Sequence, residues 1–536
     1  MNVAFDPWIP VVTLSGERKL ASLCSVLTEG GKYADLAVRP HERVALMRLF
    51  LCVAHAALEG PQGYDEWCEV PKRLPEVAWK YLKIWEKSFN LFHETKPWLQ
   101  IAELNLFLAA NGADPGDENG WSTLNKLCLT QASGNTSTLF DHASNTGVPS
   151  EYTEEEIALN LLTFQNFFVA GGKASSRMWG SFELKNPPNP KGGPCSGKSI
   201  LFTFLRDKGL YKSIHLNLNT YEDLKFLYGN SGNWLGKPIW EMPISSPYDL
   251  EAIQNATQTH IGRLVPQTRM LRVNEDKKKV LLGPGFLYPK FQDEKNTFHP
   301  DLFATMVLNS EEERVLLSAK PNSAVWRELH SLIVRRKDAS DKSRGSLCLL
   351  NSPDTDPCDI LVCAMITNPK QAAEVIDLVE SVFHIPINLR NSEGATAYES
   401  EVAQAEYWKG QLGWAVEEYR KEIDAYWEKR LEKAKQDKWA LREKLYSVAT
   451  TTFWTTVEKN LPLLMTHIEA IGTDAAIPTR VTWRKMLFKT AIGAYSVACG
   501  QETPRQMRAF AKGIQKLRKT KNESETDSNK IREEKE

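Results

Sequence analysis

One stretch of this sequence has the residue types and spacing to bind a nucleotide. Gly192-Gly193-Pro194-Cys195-Ser196-Gly197-Lys198-Ser199 fits the phosphate-loop pattern GxxxxGK[ST]. In such a loop backbone N–H groups wrap phosphates, the lysine reaches the outer ones and the hydroxyl binds magnesium. That chemistry needs a buried strand before the loop and a helix opening at the Lys-Ser pair. Asn186-Pro187-Pro188-Asn189-Pro190 precedes it instead, and such a proline run does not pass through a central strand. Ile200-Leu201-Phe202-Thr203-Phe204 follows, alternating as a strand does, so the helix dipole that would hold phosphate is missing. A P-loop NTPase is the lesser alternative.

Other catalytic signals are thin. The ten histidines form no HExxH, HxH or His-Asp pattern, and the nine cysteines (24, 52, 68, 128, 195, 348, 358, 363, 499) form no CxxC pair. Metal ligation and a catalytic constellation are not expected, nor is a cofactor. The chain reads as a non-enzyme.

Positive charge is the stronger signal. Between Pro478 and Lys521 stand eleven basic residues and one acidic residue, Glu502. Arg508, Lys512 and Lys516 fall four apart, on one helix face. Either a phosphate backbone neutralises such a face or it is a solvated helix tail. The expected DNA-backbone contacts are Arg484, Lys485, Lys489, Arg505, Arg508, Lys512 and Lys516. A second basic group (Arg263, Arg269, Arg272, Lys277, Lys278, Lys279, Lys290) and a third (Arg335, Arg336, Lys337, Lys342, Arg344) lie beside loops, as groups reaching toward a groove would. A scaffold whose basic helices meet an acidic protein is the other alternative.

The elements that must position these residues follow from composition and period. The chain has 536 residues with 42% hydrophobic and 25% charged residues, and Lys+Arg 66 against Asp+Glu 67. These are globular values, and net charge alone predicts no affinity for nucleic acid or membrane. No apolar run is long enough to span a bilayer, the first residues lack signal-peptide order, and scattered thiols fit a reducing cytosol, so a cytoplasmic protein is expected. Glu42–Leu58 has helical spacing, Thr153 with Glu156 resembles a capping box, and Ser199–Leu205 reads as a strand. Long helical periods fill Glu399–Asp437, Lys438–Glu469, Pro478–Cys499 and Pro504–Lys519. The expected fold is α+β: a large irregular mixed domain over 1–395, then a C-terminal four-helix bundle over 396–520, then a disordered charged tail over 521–536.

The opening Asp6-Pro7-Trp8-Ile9-Pro10-Val11 is similar to the N-terminal signature of the CasA family, the large subunit of the type I-E CRISPR surveillance complex, Cascade. Further matching segments follow in order: Lys96-Pro97-Trp98-Leu99-Gln100, Gly171-Gly172, Gly192-Gly193-Pro194 leading into Thr203-Phe204-Leu205-Arg206, Gln371-Ala372, and Thr452-Phe453-Trp454. The resemblance spans nearly the whole chain, and its specificity lies in the order of short motifs.

The resemblance implies a non-catalytic subunit that reads the protospacer-adjacent motif (PAM) in double-stranded DNA, helps open the duplex and recruits a helicase-nuclease. Gly171, Gly172 and Lys173 would form the minor-groove loop, with Lys290 beside them; the alternatives are a helix C-cap and an exposed turn lysine. Gln371 would be a wedge flanked by Asn368 and Lys370. Asn368-Pro369 favours a turn, and a helix starting near Pro369 is compatible with the same role. Leu139, Phe140 and Asp141 would anchor a loop at the guide RNA and the neighbouring backbone subunit. Partners so implied are target DNA and the guide-bearing backbone, handle-binding and small subunits, with one copy of this chain in the hetero-oligomer. Some relatives carry a cysteine cluster near the position of Val273–Leu282; here that segment has none, so no metal is expected.

Overall fold

The computed structural model describes residues 1–106, 120–131, 151–168, 176–187, 192–196, 199–228, 233–289, 301–308, 311, 314–321, 323–333, 345–353, 355–368, 371–424 and 434–533. The chain forms two compact units, Met1–Pro353 with Cys358–His384, and Asp354–Pro357 with Ile385–Glu536. The division falls at Ile385 rather than at residue 396, because the last strand of the first unit runs directly into the second.

The first unit mixes helices with small sheets, as its irregular sequence texture predicts. Its centre is the Pro40–Leu58 helix, buried on nearly every side. A helix apolar all round must be enclosed, and this one packs against Tyr64–Ile84, Glu154–Phe167, His260–Leu264 and the strand Cys358–Asn368. Its buried cations are answered by carboxylates. Arg43 pairs with Asp35 and with Glu380, the latter at 3.1 Å. Arg48 pairs with Asp301 and donates to the Arg263 carbonyl at 2.8 Å. The two tryptophan motifs lie in this core as well. Trp8 donates to the Val3 carbonyl at 2.7 Å and meets Trp98 edge-on at 6.0 Å. Thr153 and Glu156 form the expected capping box.

Three sheets bear on the site. Leu104–Leu106, Arg177–Trp179 and Phe182–Leu184 form one antiparallel sheet, and Lys279–Leu282 joins Ser122–Thr123 to Leu271–Val273 in another. In the third, Cys358–Asn368 lies between Phe202–Arg206 and Gln371–Ile385, with Leu361 opposite Phe204 and Cys363 opposite Phe202. The strand read over Ser199–Leu205 thus begins at Phe202, and Pro369 is followed by a strand rather than a helix.

The second unit is helical. Ser392–Asp424 packs against Ala434–Lys459, Ala476–Ala498 and Pro504–Glu533. Along it Tyr398, Val402, Ala405, Trp408, Leu412, Ala415, Val416 and Tyr419 are buried, a stripe at helical spacing. Gly513 lets two helices approach closely, since a Cβ there would stand 2.0 Å from the Tyr495 hydroxyl and 2.8 Å from the Ala415 carbonyl oxygen. Five helices rather than four form among the described residues: Leu461–Glu469 is separate because the chain breaks at Asn460, ahead of Pro462. The final helix continues to Glu533, past the point where composition suggested disorder. Few apolar residues argue against burial, but helical hydrogen bonds are local and need no core.

Candidate nucleic-acid interface

Two amides of the nucleotide-loop segment are taken up by its own fold. The amide of Gly193 donates to the Phe168 carbonyl at 2.8 Å and that of Cys195 to the Asn166 carbonyl at 3.0 Å. These amides cap the end of Glu154–Phe167 and do not face an open cradle. A Cβ on Gly193 would lie 2.4 Å from the Asn166 carbonyl oxygen, so glycine serves close packing here.

The same contacts hold Phe168, the last described residue before Gly171-Gly172. Phe168 closes the Glu154–Phe167 helix and lies under the Arg269 guanidinium, 4.4 Å from the ring centroid. Arg269 is in turn fixed by Gln165, whose amide group accepts from the Arg269 N–H and donates to its carbonyl, both at 2.9 Å. Burial lowers the Arg269 pKa to about 10. Beyond the loop, Arg177 reaches the Gly120 carbonyl at 3.2 Å. Gly171, Gly172 and Lys173 themselves lie outside the described residues, as do Leu139, Phe140 and Asp141. Lys290 is outside them too; it follows the buried Tyr288, whose hydroxyl accepts from the Gln267 amide at 2.8 Å, and Pro289, whose carbonyl accepts from Arg263.

The residues expected to form a wedge fall at the ends of two strands. Cys358–Asn368 and Gln371–Ile385 are neighbouring strands with only 369–370 between them, so Asn368 and Gln371 flank the reversal. Lys370 lies outside the described residues. The Asn368 amide donates to Glu374 Oε2 at 2.7 Å, and the Thr367 N–H donates to Ser199 Oγ at 3.2 Å. These two bonds fix the end of the Cys358–Asn368 strand.

The second basic group does not reach a groove as a set. Arg263 and Arg269 are buried, Arg272 bonds Asn105 Oδ1 at 3.1 Å, and Lys277 pairs with Glu154. Arg263 bonds the Thr257 and Pro289 carbonyls, whereas the partners of Arg269, Arg272 and Lys277 come from segments more than a hundred residues away, which the linear sequence does not reveal. Residues 335–344 of the third group, up to Arg344, are outside the described residues.

In the helical unit the cations divide. Glu401, 1% exposed, takes Arg484 Nη2 at 2.7 Å and Arg480 Nε at 2.7 Å. Glu422 takes Arg508 Nε at 2.7 Å and also pairs with Lys512. Lys485, Lys489 and Arg505 are exposed and form no salt bridge among the described residues; Lys516 is exposed as well. The two carboxylates are neighbours that charge counting missed, because they stand on the Ser392–Asp424 helix, 79 to 90 positions earlier than the cations they hold. Among the described residues no three His, Cys, Asp or Glu gather as a metal site, and no helix is long and apolar enough to cross a membrane.

The family model of the CRISPR-associated protein Cse1 matches residues 2–494. This chain belongs to the Cse1 family. It is 25% identical over 441 residues to the CRISPR-associated protein CasA/Cse1 of Thermus thermophilus, covering 79% of this chain and 77% of that one. The CasA crystal structure from Thermus thermophilus has the same fold, with a TM-score of 0.72 at 19% identity over 97% of this chain and 98% of that one. A chain of a CRISPR RNA-guided surveillance complex matches with a TM-score of 0.66 at 16% identity, over 96% and 99%. The Cse1 fold is thus spread over both units, and the CasA resemblance of the ordered motifs is a family relationship.

Proposed function

We propose that this Cse1 family member is the non-catalytic DNA-recognition subunit of an RNA-guided surveillance complex in the cytoplasm. It reads a PAM in double-stranded DNA, promotes strand opening and recruits the helicase-nuclease. One copy assembles with the guide-RNA-bearing backbone, handle-binding and small subunits, with Leu139, Phe140 and Asp141 at the guide. Gly171, Gly172, Lys173 and Lys290 read the minor groove, whose degenerate pattern admits several related motifs. Asn368, Lys370 and Gln371 form the wedge. Arg484, Lys485, Lys489, Arg505, Arg508, Lys512 and Lys516 track phosphates, which set register without reading sequence; guide pairing reads the rest.

The fixed strand end carries this reading. Unstacking a base step costs a few kcal/mol, and a side chain can hold a step apart only from rigid support. The strands on both sides of 369–370 and the Ser199 and Glu374 contacts supply that support. The occupied amides at Gly193 and Cys195 support a non-catalytic role for the loop-like motif.

The test is permanganate footprinting of target DNA with the assembled complex. Gln371→Ala should leave initial duplex binding intact and reduce opening beside the PAM. Normal opening would remove the wedge from the proposal. Failure of the wild-type complex to shift duplex DNA, with capture of an acidic protein instead, would favour the scaffold reading.

A further inference from the structure

Glu422 stands near the end of the Ser392–Asp424 helix and occupies two cations at the centre of the basic face. Its Oε1 accepts from Arg508 Nε at 2.7 Å, and its Oε2 meets the Lys512 ammonium. The carboxylate side chain is 16% exposed, whereas Arg508 and Lys512 are 73% and 48% exposed. The anion is thus the inner partner and the cations the outer ones. The hydrogen bond from Lys512 holds the Glu422 carboxyl below the usual carboxylate range, and Arg508 and Arg505 add to that effect.

A carboxylate and a phosphate present similar oxygens to a guanidinium or an ammonium. Cations already paired do not release counterions when DNA arrives, so they add less to affinity than free ones. An exposed pair is also weak, so it can be exchanged without disturbing the helices.

We propose that Glu422 competes with DNA phosphates for Arg508 and Lys512. Duplex that offers only backbone contacts must displace the carboxylate, whereas a site held by other contacts does so at high local phosphate concentration. Glu422 thereby lowers binding to unmatched DNA and sharpens discrimination. This inference rests on the reading that the helical unit meets DNA.

The test is fluorescence anisotropy of the full chain with a short labelled duplex of random sequence, titrated at several salt concentrations. Glu422→Gln should tighten binding about three- to tenfold at low salt and steepen the salt slope by up to about 2, at roughly 0.9 per phosphate newly neutralised. Glu418→Gln is the control. Glu418 lies on the same helix and carries the same charge, but pairs with Lys421 of that helix. It should change neither quantity. Equal tightening by both variants would reduce the effect to net charge and overturn the proposal, and so would an unchanged Glu422→Gln.

Arg508→Ala with Lys512→Ala, made in the Glu422→Gln background, separates the two levels. If that triple variant binds as Glu422→Gln alone does, the DNA-binding role of these two cations fails and the competition falls with it. If it binds more weakly while Glu422→Gln changes nothing, only the competition is lost. Thermal melting accompanies each variant. Should Glu422→Gln unfold the helices, Glu422→Asp, which draws the carboxylate back by one methylene, repeats the test: tighter binding supports the competition and no change overturns it.

Discussion

Ser199 Oγ accepts the backbone N–H of Thr367 at 3.2 Å, which ties the segment after the glycine-rich stretch to the Cys358–Asn368 strand one residue before its end. Ser199 has φ +54°, the left-handed region that a residue with a Cβ enters at a cost. Its carbonyl accepts from Ala319 at 2.8 Å, so bonds on both sides hold it there. A strained residue bonded to the end of this strand links backbone conformation to the proposed opening of DNA.

Ser199→Ala removes the acceptor and keeps the strain. The expected loss is about 1 kcal/mol, or roughly fivefold faster amide exchange at Thr367 if local opening governs exchange. Duplex binding should persist while strand opening slows. Unchanged exchange across 358–368 would show that the hydroxyl contributes nothing to the tip.

Lys485 and Lys489 are exposed on the Ala476–Ala498 helix and lack salt bridges among the described residues. Replacing both with alanine should weaken binding to every duplex alike and lower the salt slope by about 2. Thermal stability should hardly move, since surface changes of this kind stay within about 0.5 kcal/mol. Sequence-selective weakening would contradict a phosphate role.

Glu401 is a different case because it is the buried member of its cluster. Glu401→Ala leaves Arg480 and Arg484 without their carboxylate, and breaking a buried pair costs about 3–5 kcal/mol. Both arginines are partly exposed, at 47% and 32%, so the expected loss lies nearer about 2 kcal/mol. Urea unfolding followed by tryptophan fluorescence reads it. Arg484→Ala should then lose stability as well as DNA affinity, whereas Lys489→Ala should lose affinity alone.

The first unit should be acid-labile. Burial lowers His41 to about 3 and His55 to about 4, and it drives His260 well below its ordinary value. Below about pH 6.5 the unfolded imidazoles bind protons that the folded ones refuse. Stability is therefore complete above that pH and falls as pH drops toward the folded values, by about 1.4 kcal/mol per pH unit for each group. His41→Phe, which keeps a ring against Phe167, should ease the fall in urea midpoint between about pH 7.5 and 5.5 by roughly one proton's worth. An unaltered fall would assign the effect to other groups.

Much of the fold was legible because periodicity is local. The helix around Glu42–Leu58, the Thr153 cap and the long C-terminal helices all follow from side chains a few positions apart. The break at Asn460 was not legible, since a proline in the first turn of one helix reads equally well as an interruption of a longer one. The doubt about the nucleotide-like motif comes from its sequence neighbours, but that the Gly193 and Cys195 amides are taken by the Phe168 and Asn166 carbonyls is visible only in three dimensions.

The linear sequence by itself determined where cations are dense, which segments repeat at helical spacing, and the match to the Cse1 family over residues 2–494. Tertiary structure alone decided which cations remain available. Arg263 and Arg269 became core groups, Arg484 went to Glu401, and Arg508 and Lys512 went to Glu422. The physical reason is that Coulomb energy depends on distance in space, whereas a count along the chain registers only neighbours in sequence.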